Sequence, residues 1–552
     1  MKTSNNTPRD ANSRATATAT PRRSRHWAML TALPLALAPL LAGACDDYNS
    51  CEDTLSCPHS GTGVDGGGAT GGSGNVGGSA GNATGTGGVS GGVSGGPDTG
   101  PAELSEEDGV FVDPSASGDG TRATPFATLA EALTSVSAGG ANADKDIYAC
   151  STHQDFNEAI TFGVAADSVR LLGGLDCDNW EPSGNAPLTE LTSTTSNGIE
   201  LVNVTSLIIE NFSIVAQDAL DTGTSSYGVW STGSTATIRG CTITAGNGAD
   251  GGTPEQLSAA TQGIDGNPGD DACTLGSSGG ALAISECGAV DSVGNSGGAG
   301  GGAVGVPGGS GQDGTPLNMS RGGGGDAQTD SATCTLGDLG EAGTAGTTGS
   351  GASNGSFFDG SGYLGVEGGT GTAGTVGQGG GGGGGSLSPV SCPSDDPNPP
   401  TGASGGSGGG GGCGGSGGQG GTPGGASIAL GAAMNSDITL EETTLVTGSG
   451  GVGGDGSLGQ AGGAGGAEGA SGTGNNSSSG CAGGLGGNGG NGGLGGGGAG
   501  GAAIGIATAV SSEVVQGENV TFNISDNTAA VGGNQGIDGT GALGGSHGTK
   551  TY

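Results

Sequence analysis

The sequence predicts an all-β fold, a solenoid of short stacked strands interrupted by long glycine-rich insertions. One observation is a recurring spacing. Ile199, Ile209 and Ile214 lie 10 and 5 residues apart, Val229, Ile238 and Ile243 lie 9 and 5 apart, and Leu430, Leu440 and Leu445 return to 10 and 5. A looser copy holds Ile506, Val520 and Ile524. Units with such spacing bury their apolar positions only by stacking on their neighbours. A second observation is glycine, 138 of 552 residues, beside only 3% aromatics. That glycine share is far above the usual value of about 7% and excludes one large conventional core. The third is where the glycine falls. The stretches 246–426, 448–502 and 530–552 each follow the last strand of a unit. Equivalent positions of a solenoid lie on one face, so the stretches should emerge side by side.

Residues 1–44 read as a secretory signal. Arg22, Arg23 and Arg25 precede an apolar run, 28–41, which ends in small residues. The run is too short for a bilayer, which takes about 20 residues, and the order of its parts is that of a cleaved signal. The sequence Leu40-Leu41-Ala42-Gly43-Ala44-Cys45 resembles the lipobox of bacterial lipoproteins. That resemblance implies an acylated Cys45 as the new amino terminus and a membrane-anchored protein of the outer membrane or cell surface. Ala42 stands where the lipobox usually has leucine, and Ala42-Gly43-Ala44 also fits an ordinary export cleavage site.

Cleavage there removes six basic side chains and one acid, leaving 6 against 51 and a net charge of −45. Such a surface repels phosphate backbones, so nucleic acid is excluded as a partner. Export permits disulfides. Cys51 with Cys57 could close a small loop, and Cys150 with Cys177 is the best larger pair. Cys51, Cys57 and His59 could also ligate a metal, but an exported cysteine pair is more often a disulfide and no further ligands cluster there. With Cys45 acylated, 11 cysteines remain, so one is free or intermolecular.

Residues 45–109 have the Gly/Ser/Thr composition of a flexible tether. The β region begins at 110–245. Residues 110–112 read as a strand and 113–120 as a turn. Thr124-Pro125 opens a helix as N-cap and N1, and Phe126, Leu129, Leu133 and Val136 fall on one helical face. Apolar β-type runs follow at 147–150, 169–172, 199–202, 207–209 and 212–214. Further units lie at 427–447 and 503–529, so the insertion 246–426 is expected to be dispensable for the stack.

The β region opens on Val110-Phe111-Val112-Asp113-Pro114-Ser115-Ala116-Ser117-Gly118-Asp119-Gly120-Thr121 followed by Pro125-Phe126-Ala127-Thr128-Leu129-Ala130-Glu131-Ala132-Leu133. With the repeated units, this opening resembles the right-handed parallel β-helix of the pectate-lyase-like superfamily, and exported bacterial β-helix domains of unknown function above all. The resemblance implies that the helix caps the first coil.

Two outcomes stand open for the glycine-rich stretches. Residues 483–496 repeat Gly-Gly-X strictly, which fits an extended helix of three residues per turn. The stretches also resemble PGRS-type glycine-rich surface proteins in composition. Plain disorder is the other outcome, because glycine loses the most conformational entropy on ordering.

Chemistry-bearing motifs are sparse. Gly450–Asp455 matches six positions of a calcium nonapeptide repeat in a single copy; Asp270-Asp271 and Asp395-Asp396 read as solvated turn carboxylates. His153 lies near Asp155 and Glu158 in a loop. Trp180 and Trp230 could stack on sugars, but packing into the stack is the favoured reading. Arg170 and Arg239 are the strand-borne bases, expected to point to solvent. The sequence therefore predicts no catalytic residue, cofactor or metal, and a non-enzymatic surface lipoprotein with a structural or adhesive role. The alternative is a carbohydrate-binding or carbohydrate-active protein. Expected partners are the membrane, through the lipid, and cell-surface polysaccharide or other surface proteins.

Overall fold

The computed structural model describes residues 104–552 apart from 138, 183–186, 288–291, 295–305, 318–319, 354–355, 390, 393–399, 476–477, 510, 528–529, 533–546 and 549–552. The expected signal, Cys45, the tether and the Cys51, Cys57 and His59 group lie outside the described residues. No helix among those described is long and apolar enough to cross a membrane.

The fold is mostly β, with three parallel sheets in a solenoid-like stack. The chain visits the sheets in a fixed order. Asn197–Val202, Leu207–Glu210 and Phe212–Val215 lie one in each sheet. The next turn supplies Ser226–Thr232, Thr235–Arg239 and Thr242–Thr244. After the long insertion come Ser427–Ala433, Asp437–Glu441 and Thr444–Val446, and finally Ala503–Thr508, Glu513–Gln516 and Thr521–Asn523.

Register follows the sequence repeat. Ile199, Val229, Leu430 and Ile506 pair in succession in one sheet. Ile209, Ile238 and Leu440 pair in the second, and Ile214, Ile243 and Leu445 in the third. All ten side chains are buried, nine at 0% exposure and Ile506 at 5%. The fourth unit differs from its expected positions. Leu440 pairs with Gln516 and Leu445 with Phe522, so Val520 and Ile524 are off register. Among the described residues no full turn stacks beyond this one, and its strands tolerate an exposed Gln516.

The single α-helix among the described residues is Leu129–Val136. Its N-cap is Thr128, whose hydroxyl accepts from the Glu131 amide, rather than Thr124. Residues 125–126 stay extended because Phe126 donates to the Phe111 carbonyl and Asp113 donates back to the Phe126 carbonyl. Glu158 caps the same helix from the next turn, accepting from the Leu129 and Ala130 amides. Leu129, Ala132 and Val136 bury against the first strands, so the helix closes this end of the core.

The described parts of the glycine-rich stretches 246–426 and 448–502 are ordered. Six runs, 248–272, 335–352, 366–388, 401–425, 448–473 and 480–502, lie alongside one another with backbone hydrogen bonds every third residue. Gly263, Gly266 and Gly269 donate to Ala464, Ala467 and Ala470, a parallel pair. Gly463, Gly466 and Gly469 donate to Cys413, Gly410 and Ser407, an antiparallel pair. The three-residue period is that of a polyproline-II-type helix. The stretches following the second and third turns thus do run side by side.

Run 401–425 is central. It donates to 480–502 and to 248–272, and accepts from 366–388 and 448–473. Two of every three of its residues are glycine or alanine, and the third position carries Ser404, Ser407, Cys413, Ser416, Gln419 and Thr422. Glycine is obligatory here for close approach. A Cβ on Gly492 would collide with the Ser416 carbonyl, and one on Gly417 with the Gly371 carbonyl.

Candidate functional site

A three-residue helix points each phase of its backbone in a different direction. Inner runs satisfy their amides with neighbouring carbonyls. Elsewhere, a side chain of an adjacent run accepts in place of a carbonyl. Thr344 and Thr347 amides donate to the hydroxyls of Thr375 and Thr372, at 2.8 and 2.7 Å. Val452, Ala467 and Thr473 amides donate to the carboxylates of Asp250, Asp265 and Asp271. Gly465 and Gly462 donate to the amide oxygens of Asn488 and Asn491. These side chains, Asn488 and Asn491 at the X of Gly-Gly-X among them, are therefore caps, which satisfy backbone groups that would otherwise be lost hydrogen bonds.

The same periodicity rules an outer face. Ala345, Asn488, Asn491 and Ala464, from three adjacent runs, line one shallow groove. Stepping by threes along these runs adds exposed Leu336, Leu339 and Ala342 on one side, Leu485 on the middle run, and Ala461 and Ala467 on the other. One residue of each run recurs about every 9 Å, three rises of about 3.1 Å. Three disulfides stitch the lattice: Cys273–Cys392, Cys287–Cys413 and Cys334–Cys481. A second, open cavity of about 790 Å³ lies beside Cys287–Cys413, with Glu286 its one charged lining residue among Ser258, Thr261, Val376 and Gln460.

The sequence-derived candidates fall as follows. Cys150 and Cys177 are bonded, with Cα atoms 4.9 Å apart. Cys150 ends the strand Asp146–Cys150 and Cys177 lies just past its neighbour Arg170–Leu175, so stacking brings them together. His153 does not join Asp155 or Glu158. Its Nδ1 lies 2.8 Å from Asp113 Oδ2, and its Nε2 lies 3.8 Å from Asp178. Burial pushes the Asp113 carboxyl up, but hydrogen bonds from the Ser115 hydroxyl and amide and from His153 outweigh it and hold the group below the usual carboxylate range. Both Ser115 and Asp113 approach His153 at Nδ1, so these three make no nucleophilic relay, which needs its two partners on opposite ring nitrogens.

Arg170 and Arg239 keep much of their surface exposed, yet neither is an unengaged base. Both pair with Glu210, whose side chain is 3% exposed, and Arg239 also faces Glu441. Trp180 is buried, edge-on to Phe111. Trp230 and Tyr227 are covered by a hairpin of the insertion, Phe357–Asp359 with Gly362–Leu364. Phe358 packs edge-on to Trp230 at 5.7 Å, and Tyr363 donates its amide to the Tyr227 hydroxyl. Asp270 accepts from Ser278 and Asp271 from Thr473, so this pair caps backbone. Asp395-Asp396 lies outside the described residues.

Sequence reasoning missed Glu210, the three lattice disulfides and the union of Asp113 with His153. Only the last had a local signal, the Asp-Pro-Ser turn after the first strand. Comparison with protein-family models, with curated proteins and with solved structures finds no match.

Proposed function

We propose that this chain is an exported, lipid-anchored surface protein with a structural or adhesive role and no enzymatic activity. In this reading the solenoid-like stack is a right-handed parallel β-helix, Cys45 carries the lipid, and residues 45–109 hold the folded part away from the membrane. The observation that carries the reading is the ordered glycine lattice, which spends most of 246–502 on a stitched, regularly faced slab. Supporting it, the two strand-borne arginines are engaged by buried Glu210, and the tryptophans are packed against Phe111 and Phe358. The lattice edges are lined by carboxylates such as Asp250, Asp265 and Asp271, which repel anionic polysaccharides.

Three measurements test the proposal. A fatty-acid probe should label the wild type and leave Cys45→Ala unlabelled; equal labelling of both rejects the anchor. Cells displaying the wild type should attach to a surface or to one another more than cells displaying a chain with Leu336, Leu339 and Leu485 changed to Asp. Equal attachment rejects the adhesive role. Turnover of uronate polymers that is lost in Arg170→Ala or Arg239→Ala rejects the non-enzymatic reading.

A further inference from the structure

At the end of the stack nearest the helix, three neighbouring strands of one sheet finish together: Gly109–Val112, Asp146–Cys150 and Arg170–Leu175. The residues just beyond them converge. Asp113, Cys150, His153 and Cys177 each offer one ligand atom, and all four atoms lie within 4.8 Å of one another. Asp113, Cys150 and Cys177 are buried and His153 is the exposed member. We propose that these four residues form a binding site for a zinc-class divalent cation whenever the Cys150–Cys177 disulfide is open, so that the disulfide staples two of these strands and the metal staples all three.

The donor set is the reason for naming that class. Two thiolates, one imidazole and one carboxylate make a four-coordinate N/S/O set, which suits zinc and not calcium or magnesium, whose ligands are all oxygen. The count is complete for a closed structural site. Partners beyond the four hold them in place. The Ser115 amide and hydroxyl both donate to Asp113 Oδ1, leaving Oδ2 directed at His153. The Thr152 hydroxyl accepts from the Cys177 amide, and the Ser151 amide donates to Leu175. Such outer contacts orient ligands and are a regular part of metal sites. On the other side, Phe111, Tyr148 and Trp180 wall off Cys150 and Cys177 from water.

The two states interconvert with a defined balance. A trialkylphosphine delivers two electrons to the disulfide and becomes a phosphine oxide, taking oxygen from water; Cys150 and Cys177 become thiols. The cation then displaces both thiol protons and binds the thiolates. The freshly made chain, before oxidation, carries the same thiols without any reductant. Once the metal is removed, dissolved oxygen takes two electrons and two protons from the thiols, becoming hydrogen peroxide, and the disulfide re-forms.

The test compares variants that share every other cysteine. The full mature chain is reduced with a trialkylphosphine, desalted without oxygen, and titrated with Zn²⁺ alone. Cys150 and Cys177 are then alkylated and quantified by peptide mapping. In the wild type, Zn²⁺ should slow alkylation of both cysteines by about tenfold or more, and Co²⁺ in its place should give a tetrahedral spectrum with a thiolate charge-transfer band. His153→Ala should lose the protection and one equivalent of bound metal. His153 is partly exposed, so its oxidised form should melt with the wild type. Asp113→Asn, which keeps the side-chain shape, should weaken binding in the same direction. Equal protection and stoichiometry in wild type and His153→Ala overturn the site. Equal zinc uptake by the oxidised wild type overturns the exclusion of metal by disulfide. Neither result bears on the structural or adhesive role.

Discussion

Glu442 sits at a corner that the stack repeats. The first residue after the second strand of three successive turns is Asn211 (φ 57°), Gly240 (φ 60°) and then Glu442 (φ 47°). Asparagine and glycine accept the left-handed region at little cost, whereas an ordinary side chain pays about 1 kcal/mol. Their amides continue the ladder, Asn211 to Arg239, Gly240 to Glu441 and Glu442 to Glu518, so the corner cannot relax. Glu442→Gly should raise stability by about 0.5–1 kcal/mol, read as a higher denaturation midpoint; a lower midpoint would sink the strain argument. Cys241, one position beyond Gly240, is a buried free cysteine. Burial pushes its thiol up to about 11, against weaker help from the Phe212 and Arg239 backbone. Alkylation near neutral pH should mark Cys241 only after unfolding, since the thiolate is the nucleophile. At the lattice edge the Thr473 hydroxyl and amide hold Asp271 below its ordinary value of 3.8. A depressed folded value means that its stabilising contribution is present above 3.8 and lost as pH falls through the folded value. The acid limb of a melting-temperature profile should flatten in Asp271→Asn; an unchanged limb would count against the cap.

At the scale of the element, glycine acts by what it lacks. Gly492 faces the Ser416 carbonyl inside the slab, while Leu485, on the same run, points outward. Gly492→Ala should cost about 2–3 kcal/mol through forced separation of two runs. Leu485→Ala should stay within about 0.5 kcal/mol. Equal melting of the two variants would mean that the runs are not in this contact. The strands of the stack obey the other rule, side chains alternating between core and outside. Ser427–Ala433 breaks it by being buried at all seven positions. The reason is tertiary: its outer side lies under Phe358 and Tyr363, giving a second small core with Ile428, Ile504, Ala507 and Trp230. Strands buried on both faces lose their alternation, and Ile428-Ala429-Leu430 in the sequence is that loss.

For the whole molecule, the insertion is more than a passenger. Register between Val229 and Leu430 is direct, so the stack itself needs nothing from 246–426. Loop closure grows only slowly with length. Yet the insertion supplies the hairpin over Trp230 and the central run that 448–473 and 480–502 hold. Replacing 247–425 with a short linker should therefore leave a β-rich chain with red-shifted tryptophan emission and rapid proteolysis within 448–502. Native emission with 448–502 still protected would show the lattice halves to be independent. The three lattice disulfides close spans of 119, 126 and 147 residues. The loop model gives about 5 kcal/mol for each taken singly, which offsets part of the entropy that a glycine-rich slab loses on ordering.

The sequence by itself determined the parts governed by short-range pattern. The 10-and-5 spacing of Ile199, Ile209 and Ile214 places three strands per turn, because a buried position must recur wherever the stack recurs. Cys150 and Cys177 were legible for the same reason, lying at the ends of neighbouring strands one turn apart. The Gly-Gly-X period named the local helix of the glycine-rich runs. Only the tertiary structure decided whether those runs order, since each is unstable alone and gains its hydrogen bonds from partners far away in sequence, such as Gly343 with Asn488. The same separation hid the pairing of Cys334 with Cys481, the covering of Trp230 by Phe358, and the meeting of Asp113 with His153. Spacing reports contacts that repeat along the chain; these are made once, between segments whose approach depends on the whole stack being in place.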